Sequence, residues 1–355
     1  MTQLTRSLVS RSCSLVAVAS MALVPLSIHA QDASEEEVPF RQTLAEQAQT
    51  LVPSAETDLG RAFLASTGDL PPMAEERLVY YQRSTRSAIT PEAYEALGEE
   101  DREGYQELVI SEQLYYSFLS PPMAYLRAID LASQAGLESV DGARIADFGF
   151  GNVGQLRMLA SLGAHVVGIE IPDMLEAMYR KLSDQGLVQR SSEAGPGEPG
   201  SVTLVFGQYP TTDEIISAVG SDLALFMSKN TLKKGYIHPE QEVNPRMLVH
   251  LGVSDEVYAQ TVYDALAPGG LFLIYNLYPK PSTEPDAPYR PWASGECPFE
   301  KDMLTSIGFE IVRWNEDDSP KARAMGVTLG WQGEMTDEEF EHNFNAMVTI
   351  LRKPE

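Results

Sequence analysis

Three glycines spaced Gly149-x-Gly151-x-x-Gly154 follow the short apolar run Ile145-Ala146 and an acid, Asp147. Glycines in such a turn let the backbone bend sharply and let a ligand approach with no Cβ in the way. As a string this is the dinucleotide fingerprint, and Glu170 stands 21 residues beyond the first glycine, near the spacing of a ribose-binding acid. Asp147 argues for different chemistry. A dinucleotide presses a diphosphate against this turn and the helix N-terminus behind it. A carboxylate there opposes a double anion and suits a cation, for instance a ligand with an amino group and a sulfonium. Glu170 ends the run Val166-Val167-Gly168-Ile169-Glu170, where its carboxylate can accept both hydroxyls of a ribose.

A second group of polar residues lies in Ser228-Lys229-Asn230-Thr231-Leu232-Lys233-Lys234-Gly235-Tyr236-Ile237-His238-Pro239. His238 has the imidazole of a general base, against the plainer reading of a loop histidine packed on Pro239. Asn230 could position an acceptor or cap a turn. Lys229, Lys233 and Lys234 make a local positive spot for an acceptor carboxylate or phosphate, against the plainer reading of three solvated lysines. His165, His250 and His342 show no ligand spacing with acids, so no metal site is expected. The two cysteines, Cys13 and Cys297, are too few for a Cys-rich zinc site or a disulfide framework.

The elements that would carry these groups read as an alternation of short apolar runs and helical patterns beyond Asp141, the pattern of a parallel sheet with crossover helices. Strands are predicted at 144–148, 165–171, 202–206, 222–228 and 271–275, with a last pair at 309–314 and 346–351. Helices fit between them at 155–162, 173–185, 212–219, 255–266 and 299–307. The Gly/Pro-rich stretches 191–201 and 279–298 read as loops. From Phe40 to about Gly136 the pattern is helical, at 41–51, 59–65, 92–97 and 105–119, broken at Pro53, Pro71-Pro72 and Pro121-Pro122, with no good strand. The expected fold is therefore α/β, a doubly wound sheet behind a helical N-terminal segment.

The 355-residue chain carries 26 Lys plus Arg against 51 Asp plus Glu, a formal net charge of −25. That balance argues against nucleic-acid binding through a broad basic surface, which needs cations to displace phosphate counterions. The first thirty residues read as an export signal: Arg6 and Arg11, then an apolar run from Leu15 to Ile28, ending at Ile28-His29-Ala30. The run is shorter than the roughly 20 residues of a membrane span, so no stable span is expected after cleavage. The mature protein is expected in the periplasm or outside the cell, with Cys297 as its lone thiol. Residues 31–39 are polar and acidic and read as a disordered leader.

In the order of its motifs, the region from Asp141 to Arg352 resembles the class I S-adenosylmethionine-dependent methyltransferases. The resemblance rests on Asp147, Gly149 and Gly151 at the first turn, Glu170 at the end of the second strand, and Pro268-Gly269-Gly270 before the fifth. The ending Asn345-Ala346-Met347-Val348-Thr349-Ile350-Leu351-Arg352 looks like the last strand of the expected antiparallel pair. It implies a seven-stranded sheet with S-adenosylmethionine over the carboxyl ends of the first strands, near Asp147, Gly149, Gly151, Gly154 and Glu170. Gln208 stands where many members have an acid near the adenine, so it would serve there with a neutral amide. No Asn-Pro-Pro-Tyr or Asp-Pro-Pro-Tyr tetrad follows the fourth strand, which counts against methylation of a base or a glutamine amide; a small-molecule acceptor is the leading expectation. With the readings above, the expected organisation is signal 1–30, leader 31–39 and helical segment 40–140, followed by the domain 141–355 that the resemblance implies to be a methyltransferase domain. The aromatic run Tyr115-Tyr116-Ser117-Phe118 would either reach the cofactor or seal the N-terminal segment onto the sheet. Two other functions stay open: an exported protein that kept the fold and lost catalysis, and a nicotinamide-dependent oxidoreductase.

Overall fold

The computed structural model describes residues 39–85, 87–171, 173–282 and 287–355. The expected export signal and nearly all of the acidic leader lie outside the described residues. The N-terminal segment opens on helices Phe40–Leu51 and Asp58–Ala65. The first buries Leu44, Ala48 and Leu51, one helical face. The second starts at Thr57, whose hydroxyl accepts from the Gly60 amide.

The expectation of an all-helical segment needs correction. Strands β1 (Arg77–Gln82), β2 (Ser87–Ile89) and β3 (Tyr105–Ile110) form an antiparallel sheet in the order β2-β1-β3. The stretch 105–119, expected as one helix, is β3 followed by a helix, Glu112–Ser117, and Ser111 divides them. Its hydroxyl accepts from the Leu114 amide, a cap that starts a helix and ends a strand.

The main sheet contains β4 (Arg144–Phe148), β5 (His165–Glu170), β6 (Gly186–Val188), β7 (Gly200–Phe206), β8 (Leu223–Lys229), β9 (Leu266–Tyr278), β10 (Glu310–Asp317) and β11 (Asn345–Arg352). Their order is β10-β11-β9-β8-β4-β5-β7-β6. β9, β8, β4, β5 and β7 run parallel, and β10 and β11 close one edge antiparallel. The count is eight rather than the expected seven, because the three-residue β6 pairs antiparallel with β7. The chain order reverses at β4, which sits between β5 and β8. That switch opens the crevice in which open α/β sheets bind ligands.

Alternation along the parallel strands sorts the core into two layers. Ile145, Leu225, Met227 and Leu273 point to one face, Ala146, Phe148, Phe226 and Phe272 to the other. The N-terminal segment lies on the first face and shares its core, through Leu44, Phe63, Tyr115 and Leu126. Buried ions fasten it there. Arg77 forks onto Asp184 at 2.7 and 3.1 Å, and the Tyr115 hydroxyl donates to the same carboxylate at 2.7 Å. Arg127 forks onto Asp318 at 2.8 and 3.0 Å and reaches Glu56 at 3.0 Å.

Candidate active site

The first crossover, from β4 into the helix Gly154–Ser161, has Gly149 and Gly151 in the left-handed region at φ +79° and +68°. An L side chain is strained there. The space a Cβ would take is filled by the chain itself. Thr231 Oγ1 stands 1.9 Å from the Gly149 position, Leu119 Cδ1 3.1 Å from that of Gly151, and Pro122 Cβ 2.7 Å from that of Gly154. The glycines thus admit the protein's own N-terminal segment and the loop after β8, where their spacing alone suggests a ligand. Gly149→Ala is expected to cost at least about 1 kcal/mol of stability, measured by urea unfolding, because the backbone strain and the Thr231 collision act together.

Asp147, next to last in β4, has 0% exposure. One carboxylate oxygen accepts from Gln155 Nε2 at 3.1 Å, and among the described residues the other has no hydrogen-bond partner within bonding geometry. The Tyr125 hydroxyl stands beside the carboxylate and donates to the Phe150 carbonyl at 3.4 Å. Burial pushes the Asp147 carboxyl up to about 7 against the pull of Gln155, Tyr125 and the Lys229 ammonium.

Lys229 is the last residue of β8. Asp147 pairs with Met227 across the β4–β8 register, and Lys229 follows two residues later, so all three share one face of the sheet. Lys229 is 6% exposed, and its ammonium lies 5.1 Å from the centroid of the Tyr125 ring. Among the described residues its ammonium has no hydrogen bond and no ion-pair partner. Burial pulls the group down to about 8, offset in part by the Asp147 charge. Ser228, beside it, has a buried hydroxyl without a partner among the described residues.

Glu170 ends β5 at the same rim. Its oxygens accept from the Gly151 amide at 3.2 Å and the Ile171 amide at 3.1 Å. Burial raises it to about 7, and the Asp147 charge pushes in the same direction. Two carboxylates that repel each other therefore share the crevice with one cation. Gln208 follows β7 after Gly207, and its Nε2 donates to the His250 carbonyl at 2.7 Å. That leaves its carbonyl oxygen as the polar group still able to meet a ligand.

The lysine spot dissolves into three different environments. Lys233 is buried and donates to the Leu277 and Trp292 carbonyls, which fixes the strand β9 and the loop beyond it. Lys234 pairs with Glu296 at 3.1 Å near the surface. Lys229 is buried against the Tyr125 ring. Asn230 takes a left-handed conformation at φ +67°, and its Oδ1 accepts from the Leu277 amide at 2.7 Å, so its side chain holds the turn. His238 lies on the same loop, 46% exposed, with Nε2 2.7 Å from Asp255 Oδ2. Among the described residues no hydrogen bond connects His238 with Asn230, Asp147 or Glu170. Nor is there among them a group of three or more His, Cys, Asp or Glu able to hold a metal.

The N-terminal aromatics divide in role. Tyr115 and Tyr116 are core residues, bonded to Asp184 and to the Pro71 carbonyl. Tyr125 is the one of the three that reaches the crevice, and sequence reasoning does not single it out. Nothing local marks it, since its contact with Asp147 and Lys229 depends on how the segment folds over the sheet. Lys229 carries a legible signal: it continues the alternation of β8 on the face of Met227.

The sequence matches no protein-family model and no curated protein. Many solved structures are similar to the chain, SAM-dependent methyltransferases among them. One is phosphoethanolamine N-methyltransferase 2 of Haemonchus contortus, in complex with phosphomonomethylethanolamine and S-adenosylhomocysteine. It is 13% identical over 81% of this chain and 71% of that one, with a TM-score of 0.40. An S-adenosylmethionine-dependent methyltransferase from Mesorhizobium loti is 18% identical over 64% of this chain and 97% of that one, with a TM-score of 0.37. A [4+2]-cyclase is 15% identical over 91% of this chain and 99% of that one, with a TM-score of 0.35. The strand order, with its switch at β4 and its antiparallel closing pair, gives this chain the Rossmann-like α/β fold seen in class I methyltransferases.

Proposed function

We propose that this protein binds S-adenosylmethionine at the carboxyl ends of β4, β5 and β8 and transfers its methyl group to a small-molecule acceptor. The observation that carries this reading is the charge set at the strand ends: buried Asp147 and half-buried Glu170 against the single cation Lys229. S-adenosylmethionine is its mirror image, with an ammonium, a sulfonium and a carboxylate. A nicotinamide dinucleotide would bring a diphosphate against two carboxylates, which opposes the oxidoreductase reading.

The bound cofactor supplies a methyl group already activated by the sulfonium, so the chain has mainly to align and to deprotonate. In this reading Asp147 and Glu170 hold the ligand's cationic end and ribose, and Gln208 meets the adenine through its carbonyl. His238 donates Nε2–H to Asp255, which leaves Nδ1 as the lone pair that takes a proton from the acceptor. Asn230 holds the loop on which the histidine stands. The mature protein works in the periplasm or outside the cell.

A second reading follows from Thr231, Leu119 and Pro122, which fill the Cβ positions of the glycine turn: a protein that kept the fold and lost the ligand. Calorimetry of residues 31–355 decides among the three. Binding of S-adenosylmethionine and S-adenosylhomocysteine, with none of NAD, is the expected result. Binding of NAD alone gives the oxidoreductase, and no heat from any of the three gives the degenerate protein.

A further inference from the structure

Two buried arginines stand near one buried acid where the N-terminal segment meets the sheet. The Asp184 carboxylate is fully engaged. Oδ1 accepts from Arg77 Nη2 at 3.1 Å and from the Tyr115 hydroxyl at 2.7 Å, and Oδ2 from Arg77 Nη1 at 2.7 Å and the Lys181 amide at 2.9 Å. Arg157, on the helix Gly154–Ser161, is 5% exposed, and among the described residues it has no acid within ion-pair distance. Its partners are neutral. Nη1 donates to the Tyr116 hydroxyl and Nη2 to the Ser183 carbonyl, each at 2.9 Å, and the Tyr115 and Tyr116 rings flank the guanidinium with centroids at 5.2 and 5.9 Å. Most of the N–H groups that a guanidinium offers are left over. Arginine stays charged at any physiological pH, and a buried cation without a counter-ion is costly.

Arg157 lines a cleft of about 420 Å³ between residues 68–72 of the N-terminal segment and residues 183–189, which include the edge strand β6. Pro71, Pro72 and Leu187 give the cleft apolar surface, and Leu187 is 77% exposed. From the unmatched charge in this cleft we infer a binding site for a small organic anion: Arg157 takes its carboxylate or phosphate, and the prolines and Leu187 cover its apolar body. A planar guanidinium presents paired N–H groups that match two oxygens of either head group. The volume is that of a small-molecule pocket. Gln185, also in the lining, accepts from the Leu204 amide through Oε1 at 3.2 Å, which leaves its side-chain N–H groups to donate to the same anion. Asp69 at the rim is exposed, and the Ser191 hydroxyl donates to it at 2.5 Å. The site is separate from the proposed S-adenosylmethionine site, since its lining includes none of Asp147, Glu170, Gln208 and Lys229.

The test is calorimetry with three probes: phenyl phosphate, benzoate and the neutral benzyl alcohol. The wild-type protein is expected to bind one of the two anions about tenfold or more tightly than benzyl alcohol, the worth of a hydrogen bond between charged groups. Which anion binds more tightly identifies the head group. Arg157→Met puts an uncharged side chain between the two tyrosines and is expected to bring that anion down to the level of benzyl alcohol. Gln189→Glu keeps Arg157 and adds a repelling charge on the exposed lining of the cleft. It is expected to weaken the anion several-fold with benzyl alcohol unchanged, and it carries the test should Arg157→Met fail to fold. Equal binding of the three probes by the wild-type protein overturns the inference, and so does binding of none. An anion affinity that survives Arg157→Met, or Gln189→Glu where that variant carries the test, places the anion elsewhere and overturns it too. Titration with S-adenosylmethionine is a separate measurement, and its failure leaves this inference standing.

Discussion

Asp147→Asn will weaken S-adenosylhomocysteine binding by about 1.5–3 kcal/mol, the range for a hydrogen bond to a charged group. The substitution keeps the shape and the Gln155 contact while removing the charge proposed to receive an ammonium. Because the folded protein holds this carboxyl near 7, the wild-type effect must also show in pH. Between the ordinary value of 3.8 and about 7, folded Asp147 keeps a proton that the unfolded chain has released, so ligand-free stability falls as pH rises through that window. An arriving ammonium displaces that proton. Affinity should therefore drop by about tenfold per pH unit below 7, with proton release visible as buffer-dependent heat.

Glu170, also held near 7, steepens the fall if its carboxylate binds in ionised form. Above about 8 Lys229 gives up its own proton, and the proposed site loses its cation. Affinity is expected to be greatest near pH 7–8 and to decline on both sides. Asp147→Asn should flatten the acid limb and leave the alkaline limb in place. Binding that stays level from pH 5 to 9 would remove the charge constellation as its basis.

Much of this arrangement is legible in the amino-acid sequence. The run 144–148 is a strand with the expected bounds, and the turn after it places Asp147 and Glu170 at neighbouring strand ends, because apolar runs bounded by glycine specify buried parallel strands. The cation that shares the crevice is harder to read. Three lysines close together in an acidic chain look solvated, yet Lys229 and Lys233 are buried, since the strand β8 runs on through Ser228 into Lys229. The N-terminal sheet is hidden for a different reason. Six-residue strands such as Tyr105–Ile110 carry a mixed exposure pattern, and their sequence, Tyr-Gln-Glu-Leu-Val-Ile, reads as well at helical spacing. Tyr125 has no local signal at all, because its place over Asp147 comes from how an entire segment docks.

That docking can be broken at one residue. Arg127→Ala is expected to lower unfolding free energy by about 3–5 kcal/mol, the cost of stranding a buried charge. Arg127 is 1% exposed, and its guanidinium ties Asp318, the residue after β10, to Glu56 in the N-terminal segment. The loss falls on Asp318, which keeps only the Tyr275 hydroxyl at 2.9 Å among its side-chain partners. Asp130 suffers less, since it also accepts from the amides of Glu56 and Thr57 and from the Thr57 hydroxyl. Arg127 lies in the helix Leu126–Gln134, directly after Tyr125, so loosening it frees the ring laid against Lys229 and the hydroxyl beside Asp147. The variant should therefore lose ligand affinity along with stability, whereas Asp147→Asn should lose affinity while unfolding no earlier than wild type at pH 8. Urea titrations with and without S-adenosylhomocysteine separate the two. An Arg127→Ala protein that keeps wild-type affinity would show that the N-terminal segment adds stability and takes no part in forming the site.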